Sequence, residues 1–191
     1  MLPRSRFAED FRPVRDVHQR MLAAARSQLA QGDEAARAAT LAEISLADPL
    51  PHSFTEAPAP DAPDVDDLLA RLQGLAAAGV ATLITDFAEL FRVALYLQRY
   101  AVPRVVFVVG SHTFTRFFSD RPFEKLDGGV LEALGRLFTR SVRIALYPEA
   151  HPETGEGVSA RTAPLPPTYT HLRDYLFDNE FIHELAAGPV G

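Results

Sequence analysis

Residues 80–110 read VATLITDFAELFRVALYLQRYAVPRVVFVVG, and this stretch decides the fold class. Val80 to Thr85 is a short apolar, partly β-branched run of strand length. Asp86 and Glu89 then stand at the N-cap and reciprocal capping-box positions of a helix through Ala101, with Leu90, Phe91, Ala94, Leu95 and Leu97 on its apolar side. Pro103 stops that helix, because its ring lacks an N–H and clashes with the preceding turn. Arg104 to Val109 follows as a run of valines and phenylalanine without alternation, the pattern of a strand buried on both faces, and Gly110 ends it. Strand, crossover helix and second strand in this order form the unit from which parallel sheets are built.

The same alternation continues toward the C-terminus. A short helix is expected around Thr113 to Phe118, and Asp127 opens a longer one carrying Val130, Leu131, Leu134, Leu137 and Phe138. Val142 to Tyr147 is the third strand, stopped by Pro148. Residues 148–168 are rich in Pro, Gly, Glu and Thr, longer than the ~2–6 residues usual for such connections. Thr168 caps a final helix bearing Leu172, Tyr175, Leu176, Phe181 and Ile182 and ending near Gly188.

Toward the N-terminus the signals change. Between Pro13 and Gly32, Val14, Val17, Met21, Leu22, Ala25 and Leu29 share one helical stripe, and the Ala-rich residues 33–43 extend the helical reading. Pro49, Pro51, Pro58, Pro60 and Pro63 then mark a linker. Asp64 caps the next helix, with Leu68, Leu69, Leu72 and Leu75 as its buried stripe and Gly79 as its end. The expectation is an α/β fold: a three-layer Rossmann-like domain over 64–191 with a short, mainly parallel sheet. A helical N-terminal arm at 1–47 and a Pro-rich linker at 48–63 precede it. Segments near Leu41–Leu46 or Val158–Thr162 are candidate edge strands.

At 191 residues, 47% apolar and 23% charged, the chain has material for one domain with a real core. Its formal net charge of −6 disfavours a general nucleic-acid-binding role, since most of the surface repels phosphate. Lys125 is the only lysine, so arginine carries nearly all positive charge. The absence of cysteine excludes disulfides, thiolate metal sites and a cysteine nucleophile. No apolar run has membrane-spanning length and no signal-peptide pattern is present, so cytoplasmic residence without membrane attachment is expected.

Ligands of open parallel sheets bind beyond the carboxyl ends of the strands. That geometry selects Asp86 after the first strand, Gly110, Ser111 and His112 after the second, and Glu149 after the third, with His151 near it. Asp86, His112 and Glu149 have donor atoms suited to a divalent metal or to acid–base work, and Ser111 beside His112 suits a nucleophile and base. The structural alternative is that Asp86 is an N-cap, His112 a helix-entry residue and Glu149 loop surface. No Gly-x-Ser-x-Gly, Gly-x-Gly-x-x-Gly or Walker-type string occurs, and no dedicated metal site or cofactor is assigned. Gly128-Gly129 reads either as a phosphate loop or as a close helix-to-sheet contact. Phe114, Phe117, Phe118 and Phe123, beside Arg116 and Arg121, read either as a stacking platform or as core. His171 and His183 lie too far apart to pair on one helix turn.

Four strings carry a resemblance: Tyr96-Leu97-Gln98-Arg99-Tyr100, the stretch from Leu126 to Phe138 (LDGGVLEALGRLF), Tyr147-Pro148, and His171-Leu172-Arg173-Asp174-Tyr175-Leu176. Over roughly residues 80–185 the chain resembles the C-terminal region of bacterial proteins assigned as nicotinate-nucleotide or nicotinamide-mononucleotide adenylyltransferases. The resemblance implies an α/β domain that handles nucleotides. The His-x-Gly-His motif of true enzymes of that name is absent: Gly110-Ser111-His112-Thr113 comes nearest and lacks the second histidine, so no catalytic residue carries over. Two functions are therefore expected. The first is a non-catalytic interaction or assembly domain that self-associates or docks a protein partner through its N-terminal arm. The second is a nucleotide-binding or nucleotidyl-transferring domain that uses the strand-end crevice.

Overall fold

The computed structural model describes residues 4–8, 16–29, 39–47, 65–119, 123–139, 141–150, 157–159 and 161–186. Its centre is a six-stranded sheet built from β1 (Arg4–Ala8), β2 (Ala39–Ser45), β3 (Ala81–Thr85), β4 (Val105–Val109), β5 (Val142–Leu146) and β8 (Ile182–Glu184). The strands lie in the order β3-β2-β1-β4-β5-β8, and every neighbouring pair is parallel. A separate antiparallel pair joins β6 (Glu149–Ala150) to β7 (Gly157–Val158). The helices are α1 (Asp16–Leu29), α2 (Val65–Ala77), α3 (Leu90–Arg99), α4 (Ser111–Arg116), α5 (Gly129–Leu137) and α6 (Thr170–Asp178).

The strands' side chains point alternately to two apolar layers. On one face Val105, Phe107 and Val109 of β4 and Ile144 of β5 pack with buried residues of α3, α4, α5 and α6. On the other, Ala42, Ile44, Val106 and Val108 pack with Met21 and Ala25 of α1 and Leu75 of α2. Helices thus cover both faces, which explains why β4 is buried at all five positions.

The three strands expected from apolar runs are present with ends shifted by at most one residue, as are helices where α1, α2, α4 and α5 stand. Gly79, with φ +66, closes the turn after α2 in the left-handed region that glycine enters without a Cβ clash.

The N-terminal expectation is corrected. Residues 1–47 are not a helical arm: α1 is flanked by two strands, and β1 sits mid-sheet, in register with β2 from Arg4↔Ala39 to Ala8↔Glu43 and with β4 from Arg4↔Val105 to Phe7↔Val108. The boundary at 63/64 therefore cuts through one sheet rather than separating an arm from a domain. Residues 41–46, expected at most as an edge, supply an interior strand between β1 and β3. The Pro-rich segment 48–63 and Asp64 lie outside the described residues.

Two helix ends also differ. Asp86 does not cap α3, which starts at Leu90 with Glu89 at its N-cap; there the Glu89 carboxylate accepts a hydrogen bond from Arg92 Nε at 2.8 Å. The last helix stops at Asp178, and Ile182, expected on it, instead enters β8 opposite Ile144. No helix among the described residues is long and apolar enough to cross a membrane.

Candidate functional site

The strand order sets where a ligand can reach the sheet. From β1 the chain moves outward to β2 and β3; it then returns through α3 to β4 and moves outward the other way to β5 and β8. The direction of winding thus reverses between β1 and β4. At such a point the loops leaving the two strands diverge and open a crevice at their carboxyl ends.

Gly110 and Ser111 stand at this reversal. Gly110 is buried, has extended backbone (φ −80, ψ 174), and precedes the first residue of α4. Its carbonyl accepts the Phe114 N–H at 3.0 Å. Phe114 is fully buried and meets Phe118 edge-on at 5.3 Å between ring centroids, so the short helix that carries Ser111 and His112 is anchored by its aromatic side. Ser111 is half-buried at the rim. His112 lies on α4, one residue further on; its side chain is outside the described residues.

The next strand end lies alongside. The Tyr147 N–H donates to the Val109 carbonyl at 2.9 Å, which extends the β4–β5 ladder before Pro148 turns the chain into β6. Glu149 is fixed there by backbone pairing opposite Val158, whose side chain joins the core. The fold therefore brings Gly110, Ser111, His112 and Glu149 to the ends of neighbouring strands. His151 lies outside the described residues.

Asp86 does not join them. It is exposed at the end of β3, the outermost strand among the described residues, with β2 and β1 between it and β4. Three strand spacings of ~4.8 Å set it roughly 14 Å away along the sheet. The grouping of Asp86 with His112 and Glu149 as one acid–base or metal cluster is thereby corrected. Among the described residues, no group of three or more His, Asp or Glu is placed to hold a metal ion.

The structure also decides between paired readings from the sequence. Phe114, Phe117, Phe118 and Phe123 are all buried, so they are core rather than a stacking platform. The Gly128 N–H already donates to the Glu132 carboxylate at 2.8 Å, and a Cβ at Gly128 would meet the Glu132 Cβ at 2.8 Å. Gly129 has φ +53 and open space around it. These two glycines serve the entry into α5, and neither a phosphate loop nor a helix-to-sheet contact is needed to explain them.

One polar feature escaped the sequence reading. Glu43 of β2 and Thr85 of β3 are both buried, on the same face of the sheet, and the Thr85 hydroxyl donates to the Glu43 carboxylate. Next to them the Ser45 hydroxyl donates to the Phe87 carbonyl at 2.7 Å, and the Leu46 N–H to the Thr85 carbonyl at 2.7 Å. Together these bonds tie the carboxyl ends of β2 and β3. The alternation of Leu41, Glu43 and Ser45 against Ala42 and Ile44 was the available signal, hidden by the helix-favouring alanines around it.

Beyond the rim, burial pushes the His183 imidazole on β8 below the ordinary histidine range. The neighbouring Arg104 and Arg143 charges push the same way, and Glu180 opposes them. His171 is exposed on α6. No family model matches the chain, and no curated protein matches it.

Proposed function

We propose that this chain is a Rossmann-like domain that binds a nucleotide across the reversal between β1 and β4. The observation that supports the reading is the order β3-β2-β1-β4-β5-β8 with parallel pairing throughout. It is the arrangement in which mononucleotide-binding halves meet at a switch point. Gly110, Ser111, His112 and Glu149 form the rim on the β4–β5 side. No catalytic residue is assigned, and the proposal is one of binding.

The glycine-rich turn that lets backbone amides cradle a pyrophosphate is absent after β1. The sequence following β1 instead runs Glu9-Asp10-Phe11-Arg12-Pro13-Val14-Arg15. The proposed ligand is therefore a mononucleotide, which has no dinucleotide pyrophosphate to cradle.

Docking through an N-terminal arm is the less favoured reading, because Arg4–Ala8 is hydrogen-bonded between two strands and would have to leave the sheet to serve another partner. The test is thermal unfolding of the full chain with mononucleotides and dinucleotides, with and without Mg²⁺. A mononucleotide at a concentration of ~100 Kd should add about 2.7 kcal/mol to stability. An unchanged melting temperature with every nucleotide rejects the proposal.

A further inference from the structure

Tyr147 directly follows β5, and its side chain is buried at 4% exposure on the α1 side of the sheet, in one cluster with the apolar Val108, Ala145 and Leu185. Its backbone N–H donates to the Val109 carbonyl, but among the described residues its hydroxyl has no hydrogen-bond partner. A buried hydroxyl without a partner forfeits about 1–3 kcal/mol, a loss that phenylalanine in the same space would avoid. The hydroxyl is thus a cost to the fold alone, and a ligand that bonds to it would offset that cost.

The strand register sets Tyr147 at the crevice. Val108 pairs with Ala145 and Val109 with Leu146, and the bond from the Tyr147 N–H carries the ladder one step further, so Gly110 comes opposite Tyr147. Gly110 keeps extended backbone, so the alternation of β4 runs on through it and sets it on the α1 side, with Val106 and Val108. Beyond it the chain turns the other way, and Phe114 and Phe118 join the core on the opposite side of the sheet. The φ of −80 at Gly110 is open to every residue, so conformation does not demand glycine there. What glycine supplies is the lack of a side chain, which lets a flat ring approach the backbone beside Tyr147. Next to Leu185, the Gln28 side chain donates to the Ala186 carbonyl at 3.0 Å and accepts from the Ala186 N–H at 2.9 Å, which holds the end of α1 near this cluster.

The chemistry of this rim selects which part of a nucleotide it receives. Residues 110–112 and 147–149 include no lysine or arginine and one carboxylate, that of Glu149. Such a rim repels a phosphate. It suits an uncharged heteroaromatic ring, because a phenol offers an apolar face and a hydroxyl that both donates and accepts. We infer that Tyr147 recognises the base of the ligand, its hydroxyl bonding to the base edge above Gly110, with the phosphate directed away from the β4–β5 end. The inference rests on the nucleotide-binding proposal and adds to it an orientation and a specificity-determining residue.

The experiment is isothermal titration of the full chain with the common ribonucleosides, their 5′-monophosphates and ribose 5-phosphate. The wild type should bind at least one nucleoside and its monophosphate. Tyr147→Phe should weaken both by the same factor, about two- to tenfold, and leave any binding of ribose 5-phosphate unchanged. Without ligand, Tyr147→Phe should melt no lower than the wild type, since its hydroxyl has no bond to lose. Tyr175→Phe, which removes an exposed hydroxyl on α6, should change none of these values. Nucleotide binding that Tyr147→Phe leaves intact overturns the inference while the binding proposal stands. So does a loss confined to the monophosphate, a loss shared by ribose 5-phosphate or by Tyr175→Phe, or a lowered melting temperature of the free Tyr147→Phe variant. A wild type that binds no nucleoside and no nucleotide overturns the binding proposal, and the orientation with it.

Discussion

The sheet has two unequal halves. In the β4-β5-β8 half, β4 is inaccessible at every position, and Phe107, Phe114, Phe118 and Ile144 fill the layer above it. In the β3-β2-β1 half, β3 leaves Ala81 and Ile84 exposed, and the layer beneath mixes the small Ala24, Ala25 and Ala42 with Met21, Leu22, Ile44 and Leu75. The first half is held by apolar volume. The second adds the buried Glu43–Thr85 contact to its apolar packing on α1 and α2. The contrast is between an end of the sheet whose strand is covered on both faces and an end whose outermost described strand is partly open, with the winding reversal between them.

The largest expected effect tests the apolar half. Phe107→Ala removes a fully buried ring from the centre of the sheet and should cost about 3–5 kcal/mol in urea denaturation. Ile44→Ala, its counterpart in the other half, should cost about 2 kcal/mol, because it removes a smaller buried side chain than the phenylalanine ring. Equal costs would break the comparison. Next in size is Thr85→Val, which keeps the shape but removes the hydroxyl that donates to the buried Glu43 carboxylate. It should cost about 1–3 kcal/mol, while Thr85→Ser retains most of the stability. A neutral result would mean that the Thr85 hydroxyl contributes nothing measurable to holding β2 and β3 together.

The smallest effect concerns pH. The folded protein holds the His183 imidazole below its ordinary range, so the unfolded chain binds the proton more readily. The stability that follows is present above the unfolded pKa of ~6.5 and is lost as the pH falls through and below it. His183→Gln should flatten the dependence of the melting temperature on pH between neutrality and pH 5. A slope equal to that of the wild type would show that other groups control acid sensitivity.

The same asymmetry governs what could be read from the residues alone. VVFVV between Pro103 and Gly110 admits no solvent-facing side, and that reading placed β4 without ambiguity. Arg4-Ser5-Arg6-Phe7-Ala8 contains no apolar run and becomes a strand only because two neighbours pair with it, a tertiary effect outside any local window. Ala-Thr-Leu-Ala-Glu-Ile-Ser failed for a different reason, since alanine and glutamate favour helix more strongly than this short alternation favours strand. The candidate site followed suit. Gly110, Ser111 and Glu149 follow β4 and β5, whose apolar runs are legible locally, whereas the distance of Asp86 from them is set by β1 and β2, which no local pattern reveals.

The central place of β1 has a consequence for biogenesis. The strand cannot complete its ladders until residues 105–109 have been synthesised, long after Arg4–Ala8 itself. Local helices such as α1 can form early, but the join between the halves is a late, long-range event of the kind that slows folding. A nascent chain stalled before β4 would hold β1 with an unsatisfied side, and chaperone engagement should be greatest during that interval.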